Sequence, residues 1–353
     1  MKILHTSDWH LGHTLYNYDR TVEQQAFLRQ LTRIVTEEQP DAMVVSGDIY
    51  HYSSPAAATQ KMYTDAMLNI HQACPEMTIV VTAGNHDSSS KLEIDSNLWQ
   101  HFGLNVVGNI ERTAEEVNLD KHIIEINNEK KTKGYVIAVP HVYPQNFPLL
   151  DTETPRDQRQ ARFFQALLDE VKKRNTAQLP VVLMAHLSIE GSDRSGHDES
   201  IGGIEYVPLS AMGEGYDYLA LGHIHCPQDI KGSHHHARYC GTPLPVSFDE
   251  TYPHSVSIIE LEKGAEPQIS TREIENPIPL VTLPHDPTPF EDALKLLEEY
   301  PEEKPAYLRL NVLTKGYLPP DCNEKASNAA KGKACKYCYI KTTRERQADT
   351  DES

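Results

Sequence analysis

Five short segments of this chain carry side chains that bind divalent cations: Asp8-Trp9-His10, Gly47-Asp48, Gly84-Asn85-His86-Asp87, His186, and Gly222-His223-Ile224-His225. Together they offer carboxylate and amide oxygens with imidazole nitrogens and no thiolate, a donor set that suits Mn, Fe or Zn over Cu(I). Asp8 and His10 stand two apart, so at the extended end of a strand both face one ion while Trp9 faces away. His223 and His225 repeat that spacing. A pair of such ions performs in-line displacement at phosphorus: two cations about 3.5–4 Å apart clamp an attacking hydroxide and the phosphoryl oxygens. A carboxylate between them offsets their repulsion. Each piece alone is weak. Among 18 histidines, an isolated D-x-H or H-x-H arises by chance, and Gly-Asn-His-Asp alone reads as a turn. The five rise above chance through their shared context, since each directly follows a short apolar run.

Those runs, Lys2 to Ser7, Met43 to Ser46, Thr78 to Thr82, Val181 to Ala185 and Tyr218 to Leu221, read as buried parallel strands. In open α/β folds, ligands bind beyond the carboxyl ends of such strands, so five separate segments deliver side chains to one place. Helical spacing lies between some of them. Thr21 to Gln39 starts with a capping box, Thr21 with Gln24, and aligns Phe27, Leu31, Ile34 and Val35. Pro55 opens a second helix carrying Met62, Tyr63, Ala66, Met67 and Ile70, and Asp157 to Arg174 forms a third. Ile123 to Pro140 alternates like a hairpin, with a polar turn at Asn127 to Lys133, and Ser255 to Glu262 with Pro267 to Ile274 reads as another strand pair. The fold expected is therefore α/β with mixed sheets. The boundaries expected are a catalytic unit over 1–275, a small unit over 276–346 with a β-α-β pattern (the helix Phe290 to Tyr300 and the strand Ala306 to Leu313), and a polar, disordered tail over 347–353. The Pro-rich passage Pro277 to Pro289 is a linker or the first strand of the small unit. There is no internal repeat.

At 353 residues the chain has room for a sizeable core and a second unit, and 39% hydrophobic with 24% charged residues is a globular composition. No apolar run approaches the roughly 18 residues of a membrane span, and Met1 leads straight into a strand rather than a signal peptide. The expected compartment is the cytoplasm, without a membrane. Six irregularly spaced cysteines make no disulfide framework. The formal charge of −18 argues against a general affinity for nucleic acid. Bound cations carry local positive charge that such counting ignores, so any nucleic-acid contact is local, at the metals or a basic patch.

The five motifs resemble the calcineurin-like metallophosphoesterase superfamily over about the first 250 residues. The resemblance implies a two-sheet α/β sandwich flanked by helices. It implies that Asp48 bridges two metals, with Asp8, His10 and His225 on the first and Asn85, His186 and His223 on the second. His86 matches that superfamily's non-ligand histidine, which protonates the leaving oxygen or stabilises phosphoryl charge, with Asp87 orienting it. The opening Ile3-Leu4-His5-Thr6-Ser7-Asp8-Trp9-His10-Leu11-Gly12, the run Ala220 to His225, and Tyr239-Cys240-Gly241-Thr242-Pro243-Leu244-Pro245-Val246-Ser247-Phe248-Asp249-Glu250 narrow the resemblance to the SbcD family of nuclease subunits. The last run adds no metal ligand, so metal chemistry alone does not require it. That family implies Mn2+-dependent exonuclease and hairpin endonuclease action on DNA ends, in repair and recombination, beside an SbcC-type coiled-coil ATPase. It also implies a homodimer and a small α+β C-terminal capping domain that touches DNA. Such chains usually continue into a helix that docks on the ATPase; here Thr350-Asp351-Glu352-Ser353 is the end, which puts docking through that helix in doubt.

Several residues stay open between chemistry and structure. His51 either reaches substrate phosphate or is a plain loop histidine. His5, inside the first strand, reads as a hydrogen-bonded core residue, and His234-His235-His236 as a solvated loop rather than a third metal site. Ser188 to Gly203 is a mobile rim or a spacer. Cys322, Cys335 and Cys338 include a C-x-x-C but no visible fourth ligand, which favours free thiols over zinc. Lys325 to Arg346 holds seven basic residues against the single acid Glu345, with Tyr337 and Tyr339 interleaved. Lys333, Lys336 and Lys341 of this stretch are candidate phosphate contacts, the alternative being a face paired with the chain's own carboxylates. Two other functions are consistent with the metal motifs: a phosphatase or small-molecule phosphodiesterase of the same superfamily, and a non-catalytic DNA-end-binding scaffold.

Overall fold

The computed structural model describes residues 1–112, 117–128, 131–195 and 206–344. The expected tail over 347–353, Glu345 and Arg346 of the basic stretch, and 196–203 of the expected rim lie outside the described residues.

Two compact units emerge. The first comprises Met1–His13, Gln24–Leu244 and Asp249–Glu275; the second comprises Thr14–Glu23, Pro245–Phe248 and the chain from Asn276 onward. In the first, one six-stranded sheet runs Gln268–Glu273, Ser255–Glu260, Lys2–Thr6, Ala42–Ser46, Thr78–Thr82, Leu104–Val107. Its last four strands are parallel and the first two antiparallel. The other sheet runs Gln228–Asp229, Ala237–Tyr239, Tyr218–Gly222, Val181–His186, Lys131–Ala138, Ile123–Asn128, with antiparallel pairs only at its two edges.

The apolar runs are continuous because both faces of each central strand are covered. Ile3, Ala42, Val44 and Val80 of one sheet meet Val136, Val182, Met184 and Ala220 of the other in a single buried layer. The opposite face of the first sheet packs Val45, Val81 and Ile79 against Phe27, Leu31 and Val35 of the helix Thr21–Glu38, and against Tyr63, Met67 and Ile70 of Ala57–Ala73. The opposite face of the second sheet takes Phe163, Phe164, Leu167 and Val171 of the helix Arg159–Arg174. Two packed sheets with outer helices are the expected sandwich, and parallel pairing aligns the carboxyl ends of the ligand-bearing strands within each sheet. The short strand Leu104–Val107 is an addition: four residues before a loop were too few to stand out from background.

The second unit holds three parallel strands, Leu280–Thr288, Tyr307–Thr314 and Lys336–Arg344. They are joined through the helices Phe290–Glu298 and Cys322–Ala330, making β-α-β-α-β rather than β-α-β alone. The extra helix and strand went unread because Lys, Asn, Ser and Ala dominate them, so their apolar period is faint. The Pro-rich passage resolves as a strand, tolerated because Leu280–Thr288 is an edge.

The expected capping box is not how the first helix begins. The Thr21 amide instead donates to Asp19 Oδ1 at 3.0 Å. Gln24 turns away: its Oε1 accepts from the Gly12 amide at 3.0 Å, and its Nε2 donates toward the carbonyls of His10 and His13. It braces the loop that carries His10.

Candidate metal centre

The polar clusters sit where the strands stop, and their backbones are strained. Asp8, His10, Asp48 and His223 have φ of +53°, +45°, +52° and +97°. Left-handed backbone is uncommon outside glycine, and such strain gathers where the surrounding structure over-determines it, characteristically at functional sites. Asp8 is held by its amide donating to the Gly47 carbonyl (3.0 Å), His10 by its amide donating to the Asp48 carbonyl (3.0 Å). The Asp8 carboxylate in turn accepts from the His223 amide at 3.1 and 3.2 Å, and Asp48 Oδ1 accepts from the His86 amide at 2.9 Å. Two glycines make room for this. A Cβ on Gly84 would lie 2.1 Å from Asp48 Oδ1, and one on Gly222 would lie 1.8 Å from the Ser46 carbonyl oxygen.

All seven expected ligands converge. Asp8, His10, Asp48, His186, His223 and His225 are buried, and Asn85 is half-buried. Ligand atoms of Asp8, His10 and His225 lie within 4.8 Å of one another, as do those of Asp8, Asp48 and His186. Trp9 and Ile224, between the paired positions, point into the two apolar cores instead. Trp9 Nε1 donates to Thr6 Oγ1 (2.9 Å) and its ring meets Phe27 edge-on.

The hydrogen bonds around the rings test whether cations fit. A carbonyl can only accept, so His186 donates from Nδ1 to the Ser46 carbonyl at 2.8 Å. Its Nε2 lone pair then faces Asn85 Oδ1 at 2.9 Å and Asp48 Oδ2 at 3.5 Å. His225 Nδ1 meets Glu250 Oε1 at 2.9 Å, which turns its Nε2 toward His10 Nε2 at 3.2 Å. His223 Nδ1 is 3.0 Å from the same Asn85 oxygen. The His186 Nε2 contact with Asn85 Oδ1 sets two acceptors face to face, which added positive charge relieves, as an extra proton or as a metal ion; the His223–Asn85 and His10–His225 contacts are met when His223 carries its proton on Nδ1 and His10 on Nε2. The protonation equilibria agree. Burial alone would hold His186 and His225 down. The Asp48 and Asp8 carboxylates around His186, and Glu250, Asp8 and Asp48 around His225, instead raise each to about 9. Burial and neighbouring Asp48 push Asp8 up despite His186 and His225, while His186, His10 and His86 hold Asp48 well below the usual carboxylate range in spite of burial. The donor set fits divalent cations.

The run Tyr239 to Glu250 turns out to serve the cage, against the reading that metal chemistry does not require it. Glu250, fully buried at its side chain, fixes the His225 ring. A carboxylate behind a ligating imidazole sets its tautomer and raises its basicity. Thr242 Oγ1 lies 2.9 Å from the Asp8 carbonyl, and Cys240 Sγ lies 3.0 Å from Ser7 Oγ, which itself hydrogen bonds to the Asp8 carboxylate. Tyr239 brackets the segment after His186: its hydroxyl accepts from the Ile189 amide (2.8 Å) and donates to the Leu187 carbonyl (2.7 Å). Glu250 is the functional residue that ligand motifs miss, because it sits 25 positions after His225.

His86 stands beside the cage, its ring 4.9 Å from that of His10. Its Nδ1 donates to the His51 carbonyl at 2.8 Å, and ligand atoms of His10, His51 and His86 lie within 4.8 Å of one another. The His51 ring stacks on it at 5.1 Å with Nδ1 3.3 Å from His10 Nδ1, so His51 belongs to the site. Asp87, expected to orient His86, sends its hydrogen bonds elsewhere. Its carboxylate accepts from the amides of Gly84 (2.8 Å), Ile49 (3.1 Å) and Tyr50 (2.9 Å), clasping the His86 loop to the Asp48 loop. Burial and Asp48 raise its pKa to about 6. His141, missed in the sequence, donates from Nδ1 to the His186 carbonyl (3.2 Å) and lines a cleft of about 390 Å³ with Asn85, Tyr143 and Arg112.

The other open residues fall outside this site. His5 is buried and bonds to Tyr218 Oη at 2.9 Å. His235 pairs with Asp229 and His236 Nδ1 donates to the Asp217 carbonyl, both at 2.6 Å. Ser188–Ile189 pairs with Tyr206–Val207. Cys322, Cys335 and Cys338 are free thiols. Lys333 spans the end of the helix Phe290–Glu298, donating to the carbonyls of Leu297 (3.0 Å), Glu298 (2.5 Å) and Tyr300 (2.8 Å), which completes a helix C-terminus. Lys336 lies over the rings of Tyr18 and Tyr307, while Lys341 is exposed on the edge strand.

A two-sheet sandwich with carboxylates and imidazoles gathered at its strand ends defines a metallophosphoesterase. Residues 1–227 match the model of the calcineurin-like phosphoesterase family. The SbcD subunit of the nuclease SbcCD from Rhodobacter capsulatus is 33% identical over 309 residues, 84% of this chain and 75% of that protein. The proteins of the same name from Escherichia coli K12 and Bacillus subtilis are 29% and 31% identical, covering 90% and 75% of this chain and 79% and 68% of their own lengths. This chain belongs to the calcineurin-like phosphoesterase family and, within it, to the SbcD-type nuclease subunits. Among the described residues, no helix is long and apolar enough to cross a membrane.

Proposed function

We propose that this chain is a Mn2+-dependent DNA nuclease, exonuclease and hairpin endonuclease in one, acting in repair and recombination beside an SbcC-type ATPase, as a homodimer in the cytoplasm. The observation that carries the metal chemistry is the convergence of ligand atoms, those of Asp8, His10 and His225 and those of Asp8, Asp48 and His186 each lying within 4.8 Å of one another, with the Asn85 oxygen between His186 and His223. DNA as substrate draws its support from relatives named as nuclease subunits, and from the Tyr239 to Glu250 run through which the chain resembles them.

Asp8, His10 and His225 would hold one divalent ion, Asn85, His186 and His223 a second, with Asp48 shared. Bound there, the ions supply Lewis-acid polarisation of the phosphodiester and activation of water near neutral pH. The protein's own part is positioning and proton handling. Glu250 and the Ser46 carbonyl set the tautomers of His225 and His186, so that Nε2 of each is the ligand atom. With its Nδ1 proton held on the His51 carbonyl, His86 would act as general acid in its doubly protonated form, giving the Nε2 proton to the leaving oxygen and remaining as the neutral Nδ1–H ring. Asp87 acts on the loop, not on the imidazole, by holding three amides. The unit from Asn276 onward serves as the DNA-contacting cap, through Lys336 and Lys341; Lys333 contributes mainly by closing its helix.

The discriminating experiment compares Mn2+-dependent hydrolysis of a labelled hairpin DNA with that of a nitrophenyl phosphomonoester. Hydrolysis of the hairpin, abolished by chelation, is the expected result. Turnover of only the small ester would replace the nuclease with a phosphatase, and binding of DNA without any turnover would leave a scaffold.

A further inference from the structure

The second unit carries an exposed aromatic stack with no role in the cage. Thr14–Leu15 and Tyr18–Asp19 form a hairpin whose two-residue loop is Tyr16-Asn17. Both loop residues are left-handed, with φ of +49° and +68°. This tight turn favours Asn, Asp or Gly, and a bulky aromatic at its first position is an outlier. Tyr16 nevertheless sits there, 46% exposed.

Its ring is held rigidly from below. It stacks on Tyr339 of the edge strand at 4.7 Å and 23°, and leans on Phe248 at 6.1 Å. Phe248 meets Tyr339 edge-on at 5.7 Å. Arg309, only 5% exposed, covers Phe248 with its guanidinium at 5.2 Å and donates to the Tyr339 hydroxyl at 3.0 Å and to Thr282 Oγ1 at 2.8 Å. Lys341, two residues beyond Tyr339 on the same strand, shares its face, and Arg344 follows; both are exposed. Rigid stacked rings beside cations, in a chain of net charge −18, match one ligand chemistry closely: an unpaired nucleobase on the ring face with its phosphate on the lysine.

We propose that Tyr16, backed by Tyr339 and Phe248, is a stacking platform for an unpaired base of a frayed end, single-stranded tail or hairpin loop. This rests on the DNA-nuclease reading above. The strained turn presents the ring already ordered, so little conformational entropy is lost on stacking.

The test measures binding of the full chain, in chelator, to a fluorescent blunt duplex and to the same duplex with an unpaired tail of about five nucleotides, enough to reach one stacking site. Wild type should prefer the tailed probe. Tyr16→Asn removes the ring while installing a residue suited to the turn, so it should fold with undiminished thermal stability yet bind the tailed probe about tenfold more weakly. Tyr16→Trp should restore the preference. A tail preference that survives Tyr16→Asn overturns the platform, as does a stability loss in Tyr16→Asn with binding unchanged, which would make the ring a structural lid. Wild type that cleaves no DNA with Mn2+ is a separate failure, removing the nuclease reading and the platform with it.

Discussion

The first unit gathers a polar cluster of seven side chains, six of them buried, and the second buries a smaller one, Arg20, Glu23 and Tyr307; the two are built on opposite contacts. In the second, donor meets acceptor: Arg20 Nε lies 3.3 Å from Glu23 Oε1, Tyr307 Oη donates to the same oxygen at 2.7 Å, and Arg20 Nη1 donates to the Pro245 carbonyl at 2.5 Å. Opposite charges and a phenol meet within the protein at Glu23 Oε1, while the buried Glu23 Oε2 accepts no hydrogen bond among the described residues. In the cage, imidazole nitrogens face each other and an amide oxygen, and two carboxylates lie among them. Such a cluster takes up positive charge to compensate its buried carboxylates, as protons on His186 and His225 or as metal ions in their place. The small cluster is architecture; the cage is a receptor.

The comparison breaks if the cage tolerates change. Asp48→Asn should reduce Mn2+-dependent cleavage to background and remove the thermal stabilisation that Mn2+ confers, about 2.7 kcal/mol for wild type at a hundredfold excess over Kd; scanning calorimetry with and without metal reads both. His86→Gln should lower cleavage by roughly 10²–10⁴-fold while calorimetric Mn2+ binding persists. Loss of metal together with activity would make His86 a ligand instead. Glu250→Gln should weaken Mn2+ affinity by roughly 10–100-fold, and unchanged affinity would show that the His225 tautomer needs no carboxylate. Tyr307→Phe takes a donor from a buried carboxylate and should cost about 1.5–3 kcal/mol in denaturant unfolding with Mn2+ affinity unaltered; a change in affinity would mean that the two clusters are coupled.

The smallest effect concerns a carboxylate satisfied by donors within the first unit. Burial would raise the pKa of Glu93, but Lys121 Nζ at 2.8 Å and the amides of Gly108 (2.6 Å) and Asn109 (3.0 Å) hold it below the usual range. Stability from a lowered carboxyl pKa is complete above the unfolded value and fades as pH falls through the folded one. Glu93→Gln should therefore cost about 1 kcal/mol at pH 7 and progressively less below about pH 4. A cost independent of pH would assign Glu93's contribution to packing.

Much of this was legible in the chain. Thr78 to Thr82 could be read as a strand to the residue, because a short run that is β-branched throughout, with three aliphatic residues at its centre, has few other homes. The five cation-binding segments stood out because each ends such a run. Lys336–Arg344 was not legible, since a half-exposed edge strand alternates weakly, and the lysines of the basic stretch around it looked alike although Lys333 caps a helix while Lys341 is exposed.

Residue type and local period are enough to dictate which donor atoms are available, that Trp9 and Ile224 seek apolar surroundings, and the strand ends that collect the ligands; the left-handed backbone at Asp8, His10 and His223 is not among them. Long-range packing alone selects which nitrogen of each histidine faces the cage, makes Asp87 grip amides rather than an imidazole, and stands Glu250 behind His225. Apart from the Gly84 amide three positions before Asp87, those choices depend on hydrogen bonds between residues 25 to 140 positions apart, and no local pattern encodes a partner at that range.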